Sequence, residues 1–252
     1  MQVEFTGCTG TGKTSLLRSV LETCRLQGIA TVEADDFTLQ LVKLNRVKAR
    51  LLRIMLIDLM TLTAALLTWR TRRAYYAFSL RIVLGLQTSA LEKLNLMRNV
   101  LKKIGTYEII QRFNRDGRLV LVDEGTIHAA HNLFVHLCRE PDWDQLGQFV
   151  ELIPLPEVAV GLTGNEEAVV GRTLKRGHKR IRLGTRENVE LFVRRGLAVF
   201  SALEDHPRLA ARWLSVYPAR EFICPETGQP SLQKSVTAII PAVLEFRTGL
   251  TV

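Results

Sequence analysis

The residues with the clearest chemical potential stand at the amino end. Gly7-Cys8-Thr9-Gly10-Thr11-Gly12-Lys13-Thr14 matches the pattern G-x-x-x-x-G-K-[S/T] in full. Glycines at those spacings let successive backbone N–H groups turn inward around phosphate oxygens. A lysine there neutralises the outer phosphates, and the hydroxyl after it suits a magnesium ion. The expected nucleotide-binding set is Gly7, Thr9, Gly10, Thr11, Gly12, Lys13, Thr14 and Ser15. Three further groups have matching chemistry. Asp123 closes an apolar run and is expected to join Thr14 in orienting the metal. Asp35 follows a second short apolar run, where a carboxylate either takes a proton from an acceptor hydroxyl or caps the next helix. Arg172 and Arg176 are one helical turn apart and suit the negative charge that spreads over a phosphoryl group in flight.

These side chains need a scaffold, and the pattern around them supplies one. Gln2 to Thr6 reads as a strand that feeds the glycine loop. Thr14 to Gln27 has Leu16, Leu17, Val20, Leu21 and Cys24 at helical spacing and stops at Gly28. Ile29 to Glu33 is a second strand, Leu119 to Val122 a third buried one, and Val158 to Leu162 another. Phe149 to Leu155 and Glu221 to Cys224 are expected to add strands, with a helix over Thr126 to Cys138. Glu187 to Leu203, Pro207 to Val216 and Ser231 to Phe246 read as helices. Parallel strands present their carboxyl ends to one crevice, so Asp35 and Asp123 are expected at the same sheet edge as the glycine loop.

From about residue 38 to 105 the chain is leucine-rich and free of proline, which predicts two or three long helices inserted after the second strand. Their leucines are expected to pack on the core with the arginines solvated. The other reading is an apolar and basic face resting on an anionic membrane or a partner. Arg172 to Arg186 holds seven Lys or Arg and no acidic residue, a basic lid within about 166 to 186. Glu124 is expected to point away from Asp123, and His128, His131 and His136 to serve packing or capping.

The order of parts resembles the thymidylate kinase and nucleoside monophosphate kinase superfamily. Phe5 through Thr14 resembles its phosphate loop, and Leu119 to Gly125 its third strand and acidic motif. Pro156 to Val160 through Arg172 to Gly177 is similar to its strand, helix and arginine-bearing lid, and Ile223 to Pro230 to its final strand and base-side loop. The resemblance implies an α/β P-loop NTPase three-layer sandwich with a five-stranded parallel sheet, Lys13, Arg172 and Arg176 around the phosphates, and backbone near Thr227 to Pro230, including Gly228, beside the base. Thr9, Ala34-Asp35-Asp36 and Asp123-Glu124 depart from the thymidylate kinase motifs on the substrate side, which argues against thymidylate as acceptor.

The expected activity is phosphoryl transfer from ATP or GTP, with Mg2+, to a small acceptor that is nucleotide-like, a sugar or lipid-linked. The alternative is a P-loop ATPase or GTPase switch acting on a protein or membrane partner. The 252 residues suit a single domain, and a homodimer is compatible with it. A net charge of +9 and pI near 9.7 favour anionic ligands, but no nucleic-acid motif accompanies the charge. Four scattered cysteines, Cys8, Cys24, Cys138 and Cys224, form no C-x-x-C pair. With an amino end that runs directly into the loop, they lead to the expectation of a cytoplasmic protein, with membrane association open.

Overall fold

Gln2, Glu4 and Thr6 alternate with Val3 and Phe5 along the first strand, yet all are buried, as in a central strand covered on both faces. In the computed structural model, which describes residues 1–177, 181, 185–217 and 233–248, this strand β1 (Gln2–Gly7) lies at the centre of a five-stranded sheet. The others are β2 (Thr31–Glu33), β3 (Leu119–Asp123), β4 (Val158–Leu162) and β5 (Trp213–Val216). Their order is β2-β3-β1-β4-β5 and every pairing is parallel. The protein has an α/β fold with helices on both faces of the sheet.

Helix α1 (Lys13–Leu26) covers one face, where Leu16, Leu17, Val20 and Cys24 meet Val3, Phe5 and residues of the terminal helix α11 (Gln233–Thr248). The opposite face carries α6 (Ala129–Phe134), α7 (Trp143–Leu152), α8 (Glu166–Arg176) and α9 (Arg186–Glu204). Phe149, Phe192 and Phe200 are buried among them. The short α10 (Pro207–Ala210) precedes β5.

Between β2 and β3 lie α2 (Ala34–Leu41), α3 (Arg50–Leu67), α4 (Trp69–Gly85) and α5 (Ala90–Phe113). α3 packs closely along α5. A Cβ on Gly105 would drive into the Thr61 carbonyl, so only glycine allows this approach. Asp58 of α3 meets Arg98 and Lys102 of α5, and Arg72 of α4 meets Glu108 at 2.9 Å. α4 is held through Tyr75 and Tyr76, both buried, with the Tyr76 hydroxyl donating to the Ala65 carbonyl.

The structure departs from the sequence expectations at several elements. Phe149 to Leu155 is not a strand. Asp142 caps a helix by accepting from the Gln145 N–H, and Leu146, Phe149 and Val150 then fall on one helical face of α7. The helix expected over Pro207 to Val216 ends after one turn, and Trp213–Val216 is the fifth strand. Its β-favouring Trp and Val pair with β4. Thr126 to His128 forms turns rather than helix, leaving only Ala129–Phe134 helical. The α3 leucines do not pack on the core. Ile57, Thr61 and Ala65 form its buried face instead. The strand expected at 221–224 lies outside the described residues.

Candidate active site

Register fixes the geometry first. Phe5 pairs with Asp123 and Gly7 with Leu162, so the glycine loop leaves the sheet between the carboxyl ends of β3 and β4. Gly12, at φ 98°, stands at the N-cap of α1, a left-handed conformation that a side chain would strain. The Thr11 hydroxyl closes the loop by donating to the Cys8 carbonyl at 2.9 Å. The first backbone N–H groups of α1 are therefore aimed into the space above the loop, as at any helix start.

Lys13 is 5% exposed, and its ammonium donates to the carbonyls of Gly7 and Cys8 at 3.0 Å each. It also lies 3.4 Å from the Glu124 carboxylate. The Thr14 hydroxyl donates to Asp123 Oδ2 at 2.7 Å. The second Asp123 oxygen, Oδ1, is buried with no hydrogen-bond partner among the described residues. Burial pushes the Asp123 carboxyl up, against the Thr14 bond and the nearby Lys13 and Lys103 charges.

Glu124 departs from the strand alternation that would turn it away from Asp123. It is a non-glycine residue at φ 63°, and this turn delivers its side chain to Lys13 and, at 3.4 Å, to His128 Nε2. Burial alone would raise its carboxyl, but the Lys13 and Lys103 ammonium groups and His131 bring it below the usual range.

The turn is braced from beneath by Glu4, a completely buried carboxylate in the centre of the sheet. The N–H groups of Ile127 and His128 donate to it at 3.2 and 2.8 Å. Gly125 leaves it room, since a Cβ there would meet Glu4 Oε2. The Lys103 ammonium donates to the Glu124 carbonyl. Burial lifts the Glu4 carboxyl to about 7, with the backbone N–H of His128 and the charge of Lys103 working against it.

Across the loop, Arg172 of α8 donates through Nε to the Gly10 carbonyl at 2.6 Å. Arg172, Arg176 and Gly177 line the same cleft as Thr9, Gly10, Gly12, Lys13, Thr14, Ser15 and Asp123. That cleft encloses about 1280 Å³. A second cavity of about 330 Å³ adjoins it through Asn99, Asp123, Glu124 and Asn132, and contains Glu33, Asp35, Lys102 and Lys103. Asp35 lies in the first turn of α2 but is not its cap, a position held by Glu33 without a side-chain bond. Asp36 is engaged elsewhere, 2.7 Å from Arg53. Burial and the neighbouring Asp35, Asp36 and Asp123 raise the Glu33 carboxyl.

The structure thus brings Lys13, Thr14, Asp123, Arg172 and Arg176 to one cleft and Asp35 to its side cavity. Gly228 and the rest of 227–230 lie outside the described residues, as do 178–180 and 182–184 of the basic segment. His128 and His131 stack at 5.2 Å and pack on Phe200, with both also reaching the cleft. Among the described residues no three His, Cys, Asp or Glu side chains form a metal-holding group by themselves. Cys8 is buried, its thiol pushed up to about 12 by that burial. Sequence reasoning missed Glu4, Lys103 and Asn99. A charged residue in the middle of an otherwise buried strand was a readable signal for Glu4, whereas Lys103 and Asn99 stand in a helix of many polar residues.

No protein-family model matches the chain, and no curated protein does. Among solved structures, it is similar to a protein of Chloroflexus aurantiacus provisionally described as a kinase. The two share 16% identity over 97% of this chain and 96% of the other, with a TM-score of 0.43.

Proposed function

We propose that the protein is a kinase that transfers the γ-phosphoryl group of ATP to a small acceptor bound in the cavity beside Asp35. One observation carries this reading. The loop lysine, the Thr14–Asp123 pair and the Arg172–Arg176 face converge on one cleft that opens into a separate polar cavity.

In this account the triphosphate lies along the loop N–H groups and the amino end of α1. Lys13 moves from the loop carbonyls to the outer phosphates, a short displacement for a flexible ammonium. Thr14 and Asp123 suit a hard cation, because Asp123 offers a buried oxygen without a partner among the described residues, beside the hydroxyl it already accepts from. A magnesium ion held by Thr14 and Asp123 would supply charge neutralisation on the phosphate oxygens. The acceptor hydroxyl oxygen bonds to the γ-phosphorus as the bond to the β–γ bridging oxygen breaks. Its proton passes to Asp35, which releases it to solvent. Arg172 and Arg176 stabilise the charge of the moving group and displace water from it.

The side cavity favours transfer to an acceptor over simple hydrolysis, the reaction of an ATP-driven switch. The test is incubation of the protein with γ-labelled ATP, magnesium and pooled small metabolites or membrane extract. A labelled organic product that disappears in Lys13→Ala and Asp35→Asn supports transfer. Release of free phosphate alone, at a rate unaffected by any extract, overturns it.

A further inference from the structure

We propose that the exposed face of α3, with the basic residues of the segment before it and of α4 after it, docks on an anionic lipid bilayer. Two independent features of the structure meet here, one apolar and one electrostatic.

The apolar feature is a leucine stripe turned outward. Leu51, Met55, Leu59 and Leu66 recur at helical spacing and are 77%, 68%, 65% and 62% exposed. Leu62 lies between them on the same face, and Leu67 is also exposed. Such a run of large apolar side chains on one helix face exceeds the single exposed leucines normal to a protein surface. The buried side of the helix is committed to α5 through Ile57, Thr61 and Ala65, so the stripe has no partner among the described residues.

The electrostatic feature is where the chain keeps its charge. Residues 37–91 contain nine Lys or Arg and one acid, Asp58, which accounts for +8 of the chain's net +9. Asp58 is engaged by Arg98 and Lys102. Arg53 and Arg72 are tied to Asp36 and Glu108. The other seven are exposed: Lys43, Arg46, Lys48 and Arg50 before the stripe, and Arg70, Arg73 and Arg81 after it. Trp69 sits at the corner between α3 and α4, 46% exposed, a residue suited to the headgroup level.

Charge decides which occupant fits. A second copy of this chain would set the same concentration of cations against itself, and a nucleic acid would leave the leucines in water. An acidic bilayer surface satisfies both, with acyl boundary for the stripe and headgroups for the flanking cations. The contact is interfacial. No single described helix is long and apolar enough to cross a membrane, and α3 and α4 are bent by 104° at their junction.

The test is flotation of the purified full chain with vesicles of phosphatidylcholine alone or of equimolar phosphatidylcholine and phosphatidylserine. Recovery with the anionic vesicles only is expected. Changing Arg70, Arg73 and Arg81 together to glutamine should weaken it roughly hundredfold, at about a fivefold loss per basic group. Met55→Ser with Leu59→Ser should weaken it with little change in thermal unfolding, because both side chains are mostly exposed. Equal recovery on neutral and anionic vesicles overturns the proposal, as does unchanged recovery of the serine variant. So does a dimer in light scattering that the serine variant converts to monomer while no vesicles are bound.

Discussion

The Thr14 hydroxyl and the Asp123 carboxylate are joined by a 2.7 Å hydrogen bond between the first turn of α1 and the end of β3. The bond spans 109 residues of sequence and leaves Asp123 Oδ1 buried without a hydrogen-bond partner among the described residues. It is a geometry suited to holding a hard cation beside a triphosphate. Thr14→Val and Asp123→Asn are expected to lower phosphoryl transfer by about 10²-fold or more. Much of the Thr14→Val loss should appear as a raised magnesium requirement. Initial rates across a magnesium titration check this, and a variant with the normal rate and normal requirement would contradict it.

Arg172 is anchored on the Gly10 carbonyl and shares a face with Arg176. Arg172→Gln and Arg176→Gln are each expected to reduce kcat by roughly 10²-fold or more while changing ATP affinity far less, because in the proposed reaction their charge would act on the group in transit. Steady-state kinetics paired with equilibrium ATP binding separates the two effects.

Glu4 makes stability depend on pH in a defined direction. Its folded carboxyl titrates near 7 against an ordinary value of 4.5. The contribution is fully present below the ordinary value and is lost as pH rises toward 7, since the unfolded chain ionises first. A shift of that size corresponds to an order of about 3 kcal/mol. Glu4→Gln removes the titration, so the wild-type minus variant stability difference should fall across pH 4.5 to 7 and level off above it. Chemical denaturation at a series of pH values reads it directly, and a flat difference would contradict the assignment.

Gly105→Ala tests the packing of α3 on α5, where a Cβ has no space against the Thr61 carbonyl. A loss of about 1–3 kcal/mol in urea unfolding is expected, because backbone must move apart to admit the methyl group.

The parts of this site that were legible in the sequence are the ones written as uninterrupted local patterns. The glycine loop is bracketed by a buried strand and a helix of the right period. Asp123 closes a buried apolar run, and Arg172 and Arg176 share a helical face by spacing alone. The rest depended on information beyond a window of residues. Phe149, Val150 and Ile153 suit a strand or a helix until Asp142 is seen capping the turn. The alternation rule sends Glu124 away from Asp123, but the strand ends there and a left-handed residue reverses the direction. The outward leucines of α3 could not be read because Gly105 lets α5 take the small-residue face of that helix. Lys103 and Asn99 reach the site only because α5 lies beside it.

The proposed activity requires a triphosphate lying against the glycine loop with the Lys13 ammonium on its outer phosphates. Calorimetric titration of the protein with magnesium-ATP tests this most directly, run in parallel on Lys13→Ala. Saturable binding to the wild type, weakened roughly hundredfold in the variant, is the predicted result. Absence of heat with the wild type, or equal affinity in the two proteins, would contradict it.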